Sequence, residues 1–159
     1  MRVAILTVSD SVLKGTRVDA SGQAIADWCS THGYSLAARE TVTDETSLIA
    51  PKLATWCDSG DVDLVLTTGG TGLSPRDVTP EATRAIVERD ANGIAEYIRA
   101  QSFERFPRAA LSRGQAGIRG STLVINLPGS TSGVNDALTA LEPIIEHAID
   151  VLGGRNSHQ

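Results

Sequence analysis

The sequence predicts an α/β fold, a three-layer sandwich built on a mostly parallel central sheet, and two observations carry that reading. Apolar, β-branched runs at Val3–Val8, Val62–Thr67 and Thr122–Asn126 alternate with stretches whose apolar residues recur every three or four positions. The runs are nearly unbroken by polar residues, as strands covered by helices on both faces require. No repeat, low-complexity tract or linker interrupts the alternation, so the 159 residues read as one domain over 1–155 with a short tail at 156–159.

Each element follows from its own pattern. Ser35–Val42 is a fourth strand, and its polar content places it toward a sheet edge. Ser21–His32 carries Ile25, Cys29 and His32 on one face, and Thr46–Cys57 carries Ile49, Leu53 and Cys57, so both read as crossover helices. Thr79-Pro80-Glu81-Ala82 combines a hydroxyl N-cap, proline at the first helical position and an acid in the first turn. That predicts a helix to about Glu88. Gly93–Phe106 reads as another helix, and Gln115–Arg119 with Thr122–Asn126 as a hairpin around Gly120. The last helix places Val134, Leu138, Leu141, Ile145, Ala148 and Leu152 on one face, with a bend expected at Pro143.

Composition narrows the class. Hydrophobic residues are 41% and charged residues 21%, normal for a globular protein. A net charge of −5 gives no general attraction to nucleic acid or an anionic membrane, so any bound phosphate must be met locally. Cys29 and Cys57 fit no metal spacing and read as buried small hydrophobes. The apolar start is too short for a signal segment and no run approaches a membrane span, which makes the cytoplasm the expected location.

In parallel α/β sheets, ligands bind beyond the carboxyl ends of the strands. Four loops there stand out: Ser9-Asp10-Ser11, Thr43-Asp44-Glu45, the loop from Gly69 to Asp77, and Pro128-Gly129-Ser130. The third is the most informative, because Gly69, Gly70 and Gly72 let the backbone turn its N–H groups toward an anion. Aspartates at strand ends can hold the Mg²⁺ that accompanies a polyphosphate. Taken singly, Asp10 and Asp44 also read as ordinary caps, whereas Asp77 follows Arg76 inside the glycine loop. Ser112-Arg113-Gly114 offers a hydroxyl and a guanidinium, an anion clamp or a surface arginine.

Several chemistries lack their residues. The only lysines, Lys14 and Lys52, are far from the glycines, which removes the Walker loop. Gly70-x-Gly72 leads to Pro75 instead of a third glycine, against a dinucleotide fold. There is no Gly-x-Ser-x-Gly elbow, and His32, His147 and His158 read as two helix residues and a tail residue. What remains is catalysis by positioning and charge, the inventory of phosphoryl or nucleotidyl transfer.

Thr67-Thr68-Gly69-Gly70-Thr71-Gly72, Arg76-Asp77-Val78-Thr79-Pro80-Glu81-Ala82, Leu111-Ser112-Arg113, Ala116-Gly117 and Asn126-Leu127-Pro128-Gly129 together resemble the molybdenum-cofactor biosynthesis proteins of the MogA/MoaB type, relatives of the gephyrin G domain. Thr7-Val8-Ser9-Asp10, Asp19-x-Ser21-Gly22 and Asp44-Glu45 extend the likeness, which covers the chain from about Val3 to Leu152. The resemblance implies the fold of that family and a molybdopterin adenylyltransferase, which uses Mg²⁺ and ATP to place AMP on the terminal phosphate of molybdopterin. It implies Asp44 and Asp77 as catalytic and metal-binding acids. It implies molybdopterin or phosphate contacts at Ser9, Asp10, Thr68, Gly69, Gly70, Thr71, Ser74, Arg76, Ser112 and Arg113. Nucleotide contacts are implied at Gly70, Thr71, Gly72, Asn126, Pro128, Gly129 and Ser130. A homotrimer or hexamer is implied, as is hand-off of the product to a molybdate-inserting enzyme.

Two departures from the family pattern are visible. Ser130-Thr131-Ser132 stands where relatives often have Ser-Pro-Lys, removing a ring and an ammonium, and Asn92 stands where many have proline. The first departure keeps open a second reading, a non-catalytic molybdopterin carrier or scaffold. The CinA-type relatives, with Gly-Gly-Leu-Gly and a double aspartate, fit less well than Gly-Gly-Thr-Gly with the single Asp77.

Overall fold

A computed structural model describes residues 1–155. The tail expected at 156–159, with His158, lies outside the described residues. Six strands form one sheet in the order β2-β1-β3-β6-β5-β4: β1 (Arg2–Val8), β2 (Ser35–Val42), β3 (Leu64–Thr68), β4 (Arg89–Asp90), β5 (Ala116–Arg119) and β6 (Thr122–Leu127). The pairs β2·β1, β1·β3 and β3·β6 are parallel, whereas β5 runs antiparallel to both neighbours. The polar fourth strand of the sequence reading, β2, is indeed at an edge.

Six α-helices flank the sheet: α1 (Asp10–Leu13), α2 (Ala20–Thr31), α3 (Thr46–Asp58), α4 (Thr79–Ile86), α5 (Asn92–Phe103) and α6 (Thr131–Leu152). Alternate residues of the central strands separate two apolar layers. Val3, Ile5, Leu64, Leu66, Leu123 and Ile125 meet residues of α2, α5 and α6, including Ile25, Cys29, Ile98, Leu138 and Ile145. Ala4, Leu6, Val65 and Val124 meet Ile49, Leu53, Trp56 and Cys57 of α3 and Ala82 and Ile86 of α4. Both cysteines are buried, as expected of small hydrophobes. Full burial of each Val, Leu or Ile is worth about 1.5–3 kcal/mol, so these two layers fix the sheet and the positions of its strand ends.

The structure corrects several details. Thr79 is the first residue of α4, not its N-cap, because its hydroxyl donates to the Gly69 carbonyl at 2.9 Å and its N–H to Gly70 at 3.1 Å. α4 stops at Ile86, short of Glu88, because the Glu88 N–H donates to Ile118 and starts the unpredicted strand β4. α5 stops at Phe103, before the expected Phe106, which is extended ahead of Pro107 and a 3-10 turn over Pro107–Leu111. His32 is the C-cap of α2, one position past its last residue, and its ring lies 5.0 Å from that of Trp28 and 5.5 Å from that of Tyr34. α6 runs as one helix through Pro143. The hairpin around Gly120 is present, with Gly120 at φ +57°.

Candidate active site

Because β1, β2, β3 and β6 run in the same direction, their carboxyl ends share one edge of the sheet. The four loops that leave them enclose a cavity of about 420 Å³. Ser9, Asp44, Thr68, Gly69, Gly70, Asp77, Gly129 and Ser130 line it, so eight of the expected residues come together. Thr7, Val12, Arg17 and Ser21 line it as well.

The glycine loop is built by two left-handed residues, Gly69 at φ +95° and Gly70 at φ +67°. A side chain on Gly69 would overlap the Val8 carbonyl oxygen, and one on Gly70 would overlap the Thr79 hydroxyl and stand 3.3 Å from Asp44 Oδ1. Glycine is therefore demanded by conformation and by space at both positions. Among the described residues the N–H groups of Gly70, Thr71 and Gly72 find no acceptor, which leaves three adjacent donors for an anion. Across the loop, Thr68 Oγ1 donates to the Pro128 carbonyl at 2.7 Å, tying the glycine turn to the start of α6.

Asp10 and Asp44 bind each other's backbones: the Asp10 N–H donates to Asp44 Oδ2 at 3.1 Å, and the Asp44 N–H to Asp10 Oδ1 at 3.0 Å. This exchange joins the ends of β1 and β2. The Asp44 N–H, followed by the Arg76 guanidinium, holds the Asp10 carboxyl below its ordinary pKa. Burial, with the Asp10 charge adding to it, pushes Asp44 above its ordinary value. Asp77 closes the far end of the loop, its Oδ2 accepting the Ser74 N–H at 3.0 Å while its own N–H donates to the Ser74 carbonyl at 2.9 Å.

The family model for a probable molybdopterin binding domain matches residues 4–147. The chain belongs to this family. The chain is similar to a Helicobacter pylori (strain J99) molybdopterin adenylyltransferase, 39% identical over 156 residues that cover 97% of this chain and 89% of that one. It is 37% identical over 150 residues to the Drosophila melanogaster molybdenum cofactor synthesis protein cinnamon, covering 94% of this chain and 25% of the longer relative. Among solved structures, the molybdopterin biosynthesis enzyme MoaB from Thermus thermophilus superposes with a TM-score of 0.90 at 46% identity, covering 96% of each chain. The α/β sandwich of this family is thus the fold of the chain.

Not every residue expected of a molybdopterin-binding domain reaches the cavity. Arg113, expected as an anion clamp, turns inward: its guanidinium pairs with Glu81 and donates to the carbonyls of Gly72 at 2.8 Å and Asp77 at 2.6 Å. Its backbone N–H donates to Thr71 at 2.8 Å, so Arg113 braces the glycine loop from behind. Asn126 is buried and fully used, its amide donating to Thr67 and Thr83 and its oxygen accepting the Gln115 N–H. Ser112 and Pro128 face neighbouring hollows, and the Ser112 hydroxyl accepts the Gly114 N–H at 3.3 Å. Asp10 and Arg76 pair with each other beside the cavity, while Thr71, Gly72 and Ser74 contribute loop backbone. The sequence reading passed over Arg17, whose position between two hydrogen-bonded turns has no periodic signature.

The Arg113–Glu81 brace gives a pH prediction. Hydrogen bonding to Arg113 lowers the Glu81 pKa in the folded protein, so its contribution is present above the ordinary glutamate range and is lost as pH falls through the lowered value. Glu81 is 43% exposed, so solvent screens the pair. Wild type is expected to exceed Glu81→Gln by about 1 kcal/mol or less near pH 7. Urea midpoints measured against pH should converge in acid; a gap that does not close would contradict the brace.

Proposed function

We propose that this chain is a molybdopterin adenylyltransferase of molybdenum cofactor biosynthesis. The carrying observation is one cavity that holds Asp44, Asp77 and the left-handed turn at Gly69 and Gly70, with the Gly70 N–H unpartnered among the described residues. In the reaction, a terminal phosphate oxygen of molybdopterin forms a bond to the α-phosphorus of ATP. The bond from that phosphorus to the bridging oxygen of the β-phosphate breaks, and pyrophosphate leaves with the electron pair. The attacking oxygen is already anionic, so no strong base is needed, which agrees with a cavity lined by no histidine among the described residues.

Asp44 and Asp77 offer hard oxygen donors in the number that Mg²⁺ commonly takes from a protein when substrate phosphates complete its shell. Bound there, Mg²⁺ would neutralise phosphate charge and withdraw electrons from the reacting phosphorus. The glycine N–H groups orient the phosphate chain, and the Thr68–Pro128 bond holds the two phosphate-facing loops together.

The Ser132 departure does not weaken this reading. Ser132 lines an adjoining hollow with Arg105 and Arg108, outside the cavity that holds the aspartates. A carrier would retain pterin without appreciable affinity for Mg-ATP, so titration with Mg-ATP separates the two readings. Asp44→Ala is expected to weaken Mg-ATP binding about tenfold or more, as loss of a charged ligand should. Equal affinity in variant and wild type would remove Asp44 from the site. The same reading includes a homotrimer or hexamer, which light scattering tells apart, and passage of the adenylylated pterin to a molybdate-inserting enzyme. No helix among the described residues is long and apolar enough to cross a membrane.

A further inference from the structure

Among the described residues, the cavity is lined by two carboxylates, Asp44 and Asp77, and one cationic side chain, Arg17. Three other arginines near the cavity are committed within the chain. Arg39 pairs with Asp19 at 3.2 Å and donates to Gln23 at 2.8 Å, Arg76 pairs with Asp10, and Arg113 pairs with Glu81. Among the described residues Arg17 alone of these four has neither a carboxylate within ion-pair distance nor a side-chain hydrogen bond.

Its backbone is nevertheless held in place. Gly15, at φ +77°, reverses the chain after α1, and the N–H groups of Thr16 and Arg17 both donate to the Ser11 carbonyl, at 3.0 and 3.2 Å. The Thr16 hydroxyl donates to the same oxygen at 3.1 Å. Arg17 is thus fixed at the rim by its main chain while its guanidinium stays uncommitted.

A phosphate that enters this cavity meets two negative side chains, and the guanidinium of Arg17 offsets their repulsion. Arginine remains charged at any physiological pH and presents paired donors matched to phosphate oxygens. We propose that Arg17 binds a substrate phosphate in this cavity. The identity of that substrate rests on the adenylyltransferase reading. The triphosphate of ATP and the monophosphate of molybdopterin present the same chemistry, and separate titrations tell them apart.

Wild type, Arg17→Gln and Arg17→Lys are titrated with Mg-ATP, with molybdopterin and with inorganic pyrophosphate. Arg17→Gln is expected to raise Kd about tenfold or more for at least one substrate, and Arg17→Lys to recover part of the loss. The substrate whose Kd moves is the one whose phosphate Arg17 holds. Thermal melting should be unchanged, because the side chain is exposed and the backbone bonds to Ser11 remain. Wild-type affinity of Arg17→Gln for all three probes would overturn the proposal. Loss of pyrophosphate binding in Arg17→Gln, together with a wild type that binds pyrophosphate but does not adenylylate molybdopterin, would sustain the phosphate site and refute the transferase. Failure of wild type to bind any of the three would refute both.

Discussion

Asp77→Asn is expected to lower adenylyl transfer by about 10²- to 10³-fold, the usual loss when one preorganised electrostatic group is removed from a reacting site. The fold should survive. Asp77 lies on the wall of the cavity, and the hydrogen bond its carboxylate makes is to the Ser74 N–H at 3.0 Å, which an amide oxygen can also accept, though more weakly. Its backbone N–H still reaches the Ser74 carbonyl. The substitution therefore removes charge and leaves the turn intact. Turnover at saturating Mg²⁺, measured beside a thermal melt, separates the two effects. Unchanged turnover would remove Asp77 from the reaction, and a collapsed melting temperature would make its contribution structural.

The largest stability effect is expected at Gly69→Ala. Gly69 sits at φ +95°, and an added Cβ would strike the carbonyl oxygen of Val8 at the end of β1. That oxygen belongs to the main chain and cannot swing away as a side chain could. A left-handed alanine costs about 1–2 kcal/mol and overpacking about 1–3 kcal/mol more. The sum, roughly 2–5 kcal/mol, corresponds to a fall of about 4–20 °C in Tm for a domain of this size. Gly15→Ala is the matched control, since Gly15 has φ +77° with open space around it and meets only the conformational cost. If the two variants melt together, close contact between the glycine loop and β1 is not what demands glycine at 69. Activity should fall in Gly69→Ala too, because the Gly69 carbonyl receives the Thr79 hydroxyl that seats α4 against the loop.

Much of this arrangement is legible in the sequence, for reasons specific to the fold. Val3–Val8 and the runs before Thr67 and Asn126 announce themselves because strands buried on both faces have no solvent side to interrupt the apolar pattern. Ser35–Val42 declares its edge position by its polarity. The glycine loop is legible because so few residues tolerate left-handed backbone. α1, with four residues, and β4, with two, are too short to show a period. Thr79 and Arg113 mislead for another reason. A Thr-Pro-Glu sequence fits a cap, but the hydroxyl is claimed by Gly69, remote in sequence from any capping position. Arg113 beside Ser112 fits an anion clamp, yet Glu81, 32 residues away in sequence, takes its charge. Asn126 likewise looks exposed to ligand at a strand end and is consumed by Thr67 and Thr83. In each case a long-range partner decides which polar groups stay available, and local sequence does not contain that partner.

The central claim, that the cavity holding Asp44 and Asp77 transfers AMP to molybdopterin, is tested most directly by following pyrophosphate release from Mg-ATP with and without molybdopterin, and weighing the pterin afterward by mass spectrometry. The account predicts release that depends on the pterin, matched mole for mole by a pterin carrying one AMP. Bound pterin with neither pyrophosphate release nor added mass would contradict it and leave the chain a carrier.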